Sequence, residues 1–67
     1  MKKLNRNFYL IKDRNNRKWV NYLDVNNYVM YDSVVNGINV FDDNDDGDNL
    51  TLAQIENYVN DGWKIEF

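Results

Sequence analysis

Residues 51–67 read TLAQIENYVNDGWKIEF, and this stretch decides the fold. Thr51 followed three residues later by Gln54 is the capping-box pattern, in which each side chain accepts a hydrogen bond from the other's backbone N–H at a helix start. Leu52, Ile55 and Val59 recur at helical spacing on one face, with Glu56, Asn57 and Asn60 opposite. The spacing predicts a helix over residues 52–60, ended by Gly62, because glycine adopts the left-handed cap conformation at little steric cost. Trp63, Ile65 and Phe67 then alternate with Lys64 and Glu66, the period of a strand with one buried face. A one-striped helix followed by a half-buried strand needs a sheet to close its core.

The preceding residues supply that sheet. Residues 7–12 (NFYLIK) and 18–23 (KWVNYL) are rich in aromatic and β-branched side chains and flank Arg14-Asn15-Asn16-Arg17. The adjacent asparagines predict a type I′ hairpin, since asparagine tolerates the positive φ that such turns require. A second break at Asn26-Asn27 precedes residues 28–31 (YVMY), and Asn36-Gly37, a strong hairpin signal, separates Val34-Val35 from residues 38–41. Up to four strands in meander order fill the first 41 residues, with residues 32–36 open to an irregular reading. The fold expected is α+β: one domain over residues 1–67, a small antiparallel β-meander packed by one helix, with a C-terminal strand, in the order β-β-β-(β)-α-β. One sheet face is then left uncovered, and Tyr9, Tyr22, Tyr28 and Tyr31 are expected to make it partly aromatic and to bind a partner there.

At 67 residues the chain holds a single core with a margin of about 3–5 kcal/mol. It has neither cysteine nor histidine, so disulfides and the usual zinc sites are excluded, and no motif implies a cofactor. With no apolar run approaching the ~20 residues of a membrane span and no leader-like start, the expected setting is the cytoplasm. Chemistry is not expected: Ser33 has no histidine to activate it, and a chain this short hardly encloses a cleft in which carboxylate pKa values could be tuned.

The formal charge of −3 conceals a division along the chain. Residues 1–18 carry Lys2, Lys3, Arg6, Lys12, Arg14, Arg17 and Lys18 against Asp13, whereas Lys64 alone faces ten carboxylates after Trp19. The most distinctive segment is residues 42–49, DDNDDGDN, with five carboxylates in its first seven residues. Placing Gly47 at the sixth position of a calcium loop puts Asp42, Asn44, Asp46 and Asp48 at the first four ligand positions, but Ala53 then stands where a bidentate acid is required. The register beginning at Asp43 loses the turn glycine instead. The bland alternative is a solvated loop whose acids favour the N-terminus of the following helix. A further alternative is that Asp43, Asp45, Asp46 and Asp48 occupy a basic protein groove by imitating nucleic-acid phosphate, joined in space by Asp24, Asp32, Glu56, Asp61 or Glu66. The basic hairpin, with Phe8, Tyr9 and Trp19 interleaved, also admits a single-stranded nucleic-acid reading, although no glycine-aromatic motif accompanies it and the chain is acidic overall. Trp63 is expected in the core, and Trp19 is assigned to neither face.

The hairpin FYLIKDRNNRKWVNY, the helix entry LTLAQIENYV and the ending DGWKIEF together resemble small accessory proteins encoded by phages and prophages of low-GC Gram-positive bacteria. The resemblance is one of pattern over most of the chain and carries over no functional residue. It implies a compact inhibitor or modulator of a host protein, anti-CRISPR and anti-restriction roles included, acting in the host cytoplasm. The leading expectation is therefore a non-enzymatic interaction protein that uses the acidic loop or the aromatic sheet face on a host protein, with homodimerisation through an edge strand or the open face as a further expectation. A calcium module and a single-strand binder are the alternatives.

Overall fold

The computed structural model of the chain describes residues 4–41 and 46–67. Strands β1 (Phe8–Asp13), β2 (Asn16–Asp24) and β3 (Asn27–Val35) form an antiparallel meander continued by the short β4 (Ile38–Asn39). Strand β5 (Asp48–Leu50) leads into helix α1 (Leu52–Asn60), and β6 (Lys64–Glu66) ends the order. The sheet runs β4-β3-β2-β1-β6, with β5 also on β3. β4 and β5 thus share one edge of β3, the first at Val34 and Val35 and the second at Tyr28, Val29 and Met30. The α+β meander with one helix and a C-terminal strand is the fold of the protein.

Two details differ from the sequence reading. Val34 and Val35 belong to a continuous β3, and the end of the acidic segment, Asp48 and Asn49, is strand instead of loop. The turns differ in mechanism as well. Asn36 and Gly37 have φ of 51° and 81°, as a type I′ turn needs, but neither Asn15 nor Asn16 has a positive φ. At the first hairpin the Asp13 carboxylate accepts from the Asn15 backbone N–H at 2.8 Å and from Asn16 Nδ2 at 3.2 Å, and a bulge between Ile11 and Asp13 absorbs the register. The left-handed residue of the second hairpin is Asn26, with φ of 58°.

Helix α1 has the expected bounds and both of its expected ends. Thr51 Oγ1 accepts from Gln54 N at 3.3 Å, and Gln54 Oε1 accepts from Thr51 N at 2.8 Å. At the far end Gly62 takes a φ of 103°, its N–H reaches the Val59 carbonyl at 3.1 Å, and Trp63 N–H reaches that of Tyr58 at 3.0 Å. Leu52 N–H, a further orphan of the first turn, donates to Asn26 Oδ1 at 2.7 Å, which fastens the second hairpin to the helix.

The core lies between α1 and one face of the sheet: Leu4, Phe8, Leu10, Val20, Tyr28, Met30, Leu50 and Ile55, with Tyr22, Leu52, Tyr58, Trp63 and Ile65 packed around it. Ile55 is fully buried, worth about 1.5–3 kcal/mol relative to exposure. Val59, read as part of the helix's apolar stripe, is exposed; Tyr58 points inward in its place and meets Trp63 edge to face at 5.7 Å. No helix among the described residues is long and apolar enough to cross a membrane.

Candidate interaction surface

The register of the meander determines what the other face carries. Phe8 pairs with Val20 and Val20 with Met30, all buried, so the next residue on each strand points away from the helix. Those residues are Tyr9, Trp19 and Tyr31, and they pair directly across three neighbouring strands, Tyr9 with Trp19 and Trp19 with Tyr31. Tyr9 and Trp19 are tilted rings with centroids 4.7 Å apart, and Phe41, just beyond β4, meets Tyr31 edge to face at 6.0 Å. A bulge in β3 between Asp32 and Val34, opposite Lys18 and Arg17, places Ser33 beside this row. Tyr9, Trp19, Ser33 and Phe41 line a cleft of about 310 Å³.

Polar groups hold the row in place. The Trp19 indole N–H donates to Asn21 Oδ1 at 2.7 Å, which fixes the ring's direction. The Arg17 guanidinium lies 4.9 Å from the Tyr9 ring centroid, a cation–π arrangement, and its buried Nε–H has no acceptor. Gly47 brings its backbone down onto Val29 and Tyr31, so closely that an added Cβ would lie 2.5 Å from Val29 Cγ1 and 2.7 Å from Tyr31 Cε1. Only glycine fits there, at a φ of 71°. The exposed Asp46 precedes it on the rim of the face.

The expectation that four tyrosines share the open face is corrected by this register. Tyr28 is 1% exposed and belongs to the core, its hydroxyl donating to the Leu4 carbonyl, and Tyr22 packs beside it with ring centroids 5.7 Å apart. Tyr9 and Tyr31 remain on the open side. The reason is parity: Tyr22 and Tyr28 pair with each other on the even-numbered, helix-covered positions, as do Phe8, Leu10, Val20 and Met30. Of the row's other members, Phe41 has no signal in the sequence, and Trp19, which the sequence offers to the single-strand reading but assigns to neither face, is placed beside Tyr9 by the same parity once a hairpin register is assumed.

The acidic segment is described from Asp46 onward. Asp42, Asp43, Asn44 and Asp45 lie outside the described residues; Asp46 is exposed, and Asp48 is exposed at the start of β5 opposite Met30, on the helix side of the sheet edge. Of the calcium arrangement only Asp46 and Asp48 are described, and among the described residues no group of three or more acidic, histidine or cysteine side chains is placed to hold a metal ion. Asp32 is not available to a negative patch either, since Lys18, its cross-strand partner, reaches it at 2.6 Å. Lys18 sits on the helix-covered side, with Nζ 5.4 Å from the Trp63 ring centroid and 5.9 Å from that of Tyr58. A second cleft of about 310 Å³, lined by Leu50, Gln54, Asn57, Tyr58 and Asp61, runs beside the helix.

No protein-family model, no curated protein and no solved structure matches the chain.

Proposed function

We propose that this domain is a non-enzymatic interaction module that docks on another protein through the sheet face opposite its helix. The observation that carries the reading is the cross-strand row of Tyr9, Trp19 and Tyr31, extended by Phe41, which a small domain keeps outside its core. Aromatic side chains dominate interface energetics because they bury a large area at little entropic cost, and a rigid sheet presents them in fixed positions. Asp46, exposed next to Gly47 at the border of the face, adds a negative charge that favours a basic group on the partner. In keeping with the resemblance to phage accessory proteins, the partner is a host protein that the domain inhibits or modulates.

The test is affinity capture from host lysate with the wild-type chain, with the double variant Tyr9→Ser and Trp19→Ser, and with Asp46→Asn, each checked for folding by circular dichroism. A specific partner should be lost with the first variant and weakened with the second. Undiminished capture by the first variant would remove the sheet face from consideration.

A further inference from the structure

We infer that the open sheet face, when no other protein covers it, closes on the same face of a second copy of this chain, so that docking on a partner competes with self-association. The inference rests on the sheet face being the docking surface and adds what covers that surface in the free domain. The size of the face, its chemistry and its charge lead to it.

The molecule measures 31 × 27 × 17 Å along its principal axes. A nine-residue strand such as β2 or β3 is about 30 Å long, and five strands abreast reach roughly 20–25 Å. The two long dimensions are therefore those of the sheet, and the short one is the stack of helix on sheet. The open face is a broad one and offers on the order of 600 Å² to a surface of its own outline, so two copies together bury about 1,200 Å². That is the lower end of the range for a specific interface, enough to pair two copies and little enough for a better-fitting partner to displace one of them.

A two-fold interface brings one patch onto itself, so it needs groups that can serve as their own partners. The row reads the same from either side, tyrosine, tryptophan, tyrosine, in the order Tyr9, Trp19, Tyr31. A two-fold axis through Trp19 and along β2 therefore sets Tyr9 of one copy over Tyr31 of the other. The Tyr9, Tyr31 and Ser33 hydroxyls each donate and accept, so like can meet like. The Trp19 indole N–H, a donor only, is already given to Asn21 Oδ1 at 2.7 Å and needs nothing from the other copy. Charge is balanced in the same way. Ile11, next to the buried Leu10, pairs with Arg17 on β2 and Lys64 on β6, which puts both cations on the open side, while Glu66 stands opposite Tyr9 and Asp46 borders the face. Two charges of each sign leave no net field to repel an identical face, whereas a face of one sign would repel its copy.

The experiment is sedimentation velocity of the full chain from micromolar to millimolar concentration, with ¹⁵N spectra recorded over the same range. The mass should rise from that of one chain to that of two and no further, and the Trp19 indole and Ser33 amide resonances should move with it. The Tyr9→Ser and Trp19→Ser double variant should raise the dissociation constant at least about tenfold. Phe41→Ser, at a side chain 48% exposed and outside the core, should also raise it and guards against a folding defect in the double variant. A wild-type chain that stays single at millimolar concentration, or a pair that both variants leave undiminished, would each overturn the inference, the second by placing self-association on another surface. If the chain stays single while the double variant still loses its protein partner, the pairing is wrong and the docking face stands. If the chain pairs through this face while capture is unaffected by those substitutions, docking uses another surface and the competition is overturned.

Discussion

Tyr28 shows how one hydroxyl ties a strand to the segment before β1. Its ring is nearly inaccessible, stacks edge to face on Phe8 at 6.2 Å, and its O–H donates to the Leu4 carbonyl. Burial pushes the pKa of this hydroxyl above its ordinary 10.0, with the nearby Tyr22 adding to the shift. The folded state therefore holds the proton more tightly than the unfolded state, so this group's contribution is fully present below pH 10 and is lost as pH rises beyond it. Urea midpoints measured across that range should fall more steeply for the wild type than for Tyr28→Phe, whereas at neutral pH the variant should be weaker by about 1 kcal/mol for the lost hydrogen bond. Equal alkaline slopes would show that Tyr28 is not the group responsible. Gly47 is the second telling residue, since a methyl there meets Val29 and Tyr31 at 2.5 and 2.7 Å with a left-handed φ. Gly47→Ala should cost about 1–3 kcal/mol, read as a melting temperature lowered by several degrees.

Among the elements, α1 is the most self-contained, and its ends are where its stability is most open to measurement. Thr51→Ala removes the cap oxygen and should cost about 1 kcal/mol, seen as a lower urea midpoint and faster hydrogen exchange at Gln54. Gly62→Ala meets no neighbouring atom within 4 Å, so its cost of about 1–2 kcal/mol should come from the φ of 103° alone. The helix was legible in sequence because caps are local chemistry: Thr51 and Gln54 bond each other at the start, and Gly62 bonds the Val59 carbonyl three residues before it at the end. The Asn36-Gly37 hairpin was legible for the same reason. Strand β5 was not, because Asp48 and Asn49 have poor strand propensity and are ordered by pairing with the distant Met30 and Val29. Asn15-Asn16 misled because Asp13 offers its carboxylate to the turn, so no asparagine there has to turn left-handed. Tyr58 displaced Val59 because a 3.6-residue period leaves both the third and the fourth position after Ile55 near the buried stripe, and Trp63 completes the contact on the tyrosine side.

For the molecule as a whole, the decisive fact is that the helix covers one face of the sheet and leaves the other uncovered. The covered face was readable from the even-numbered Phe8, Leu10, Val20 and Met30, but the open face required the register of two hairpins at once, which separates Tyr9 and Tyr31 from Tyr22 and Tyr28. The carboxylates were equally hard to place, since Asp32 meets a lysine fourteen residues earlier in the chain. Whether the open face is a docking surface or a second core makes a difference that stability measurements can read. Phe8 is fully buried, and Phe8→Ala should cost about 3–5 kcal/mol, comparable to the whole margin of a domain this size, leaving the chain largely unfolded. Trp19 is partly exposed and stacks mainly on Tyr9, so Trp19→Ala should cost about 1–2 kcal/mol and leave a cooperative melt at lower temperature. Thermal unfolding of the two variants side by side distinguishes the cases. If Trp19→Ala abolishes cooperative unfolding as Phe8→Ala does, the aromatic row holds the fold together from beneath, and its rings are not free to meet a partner.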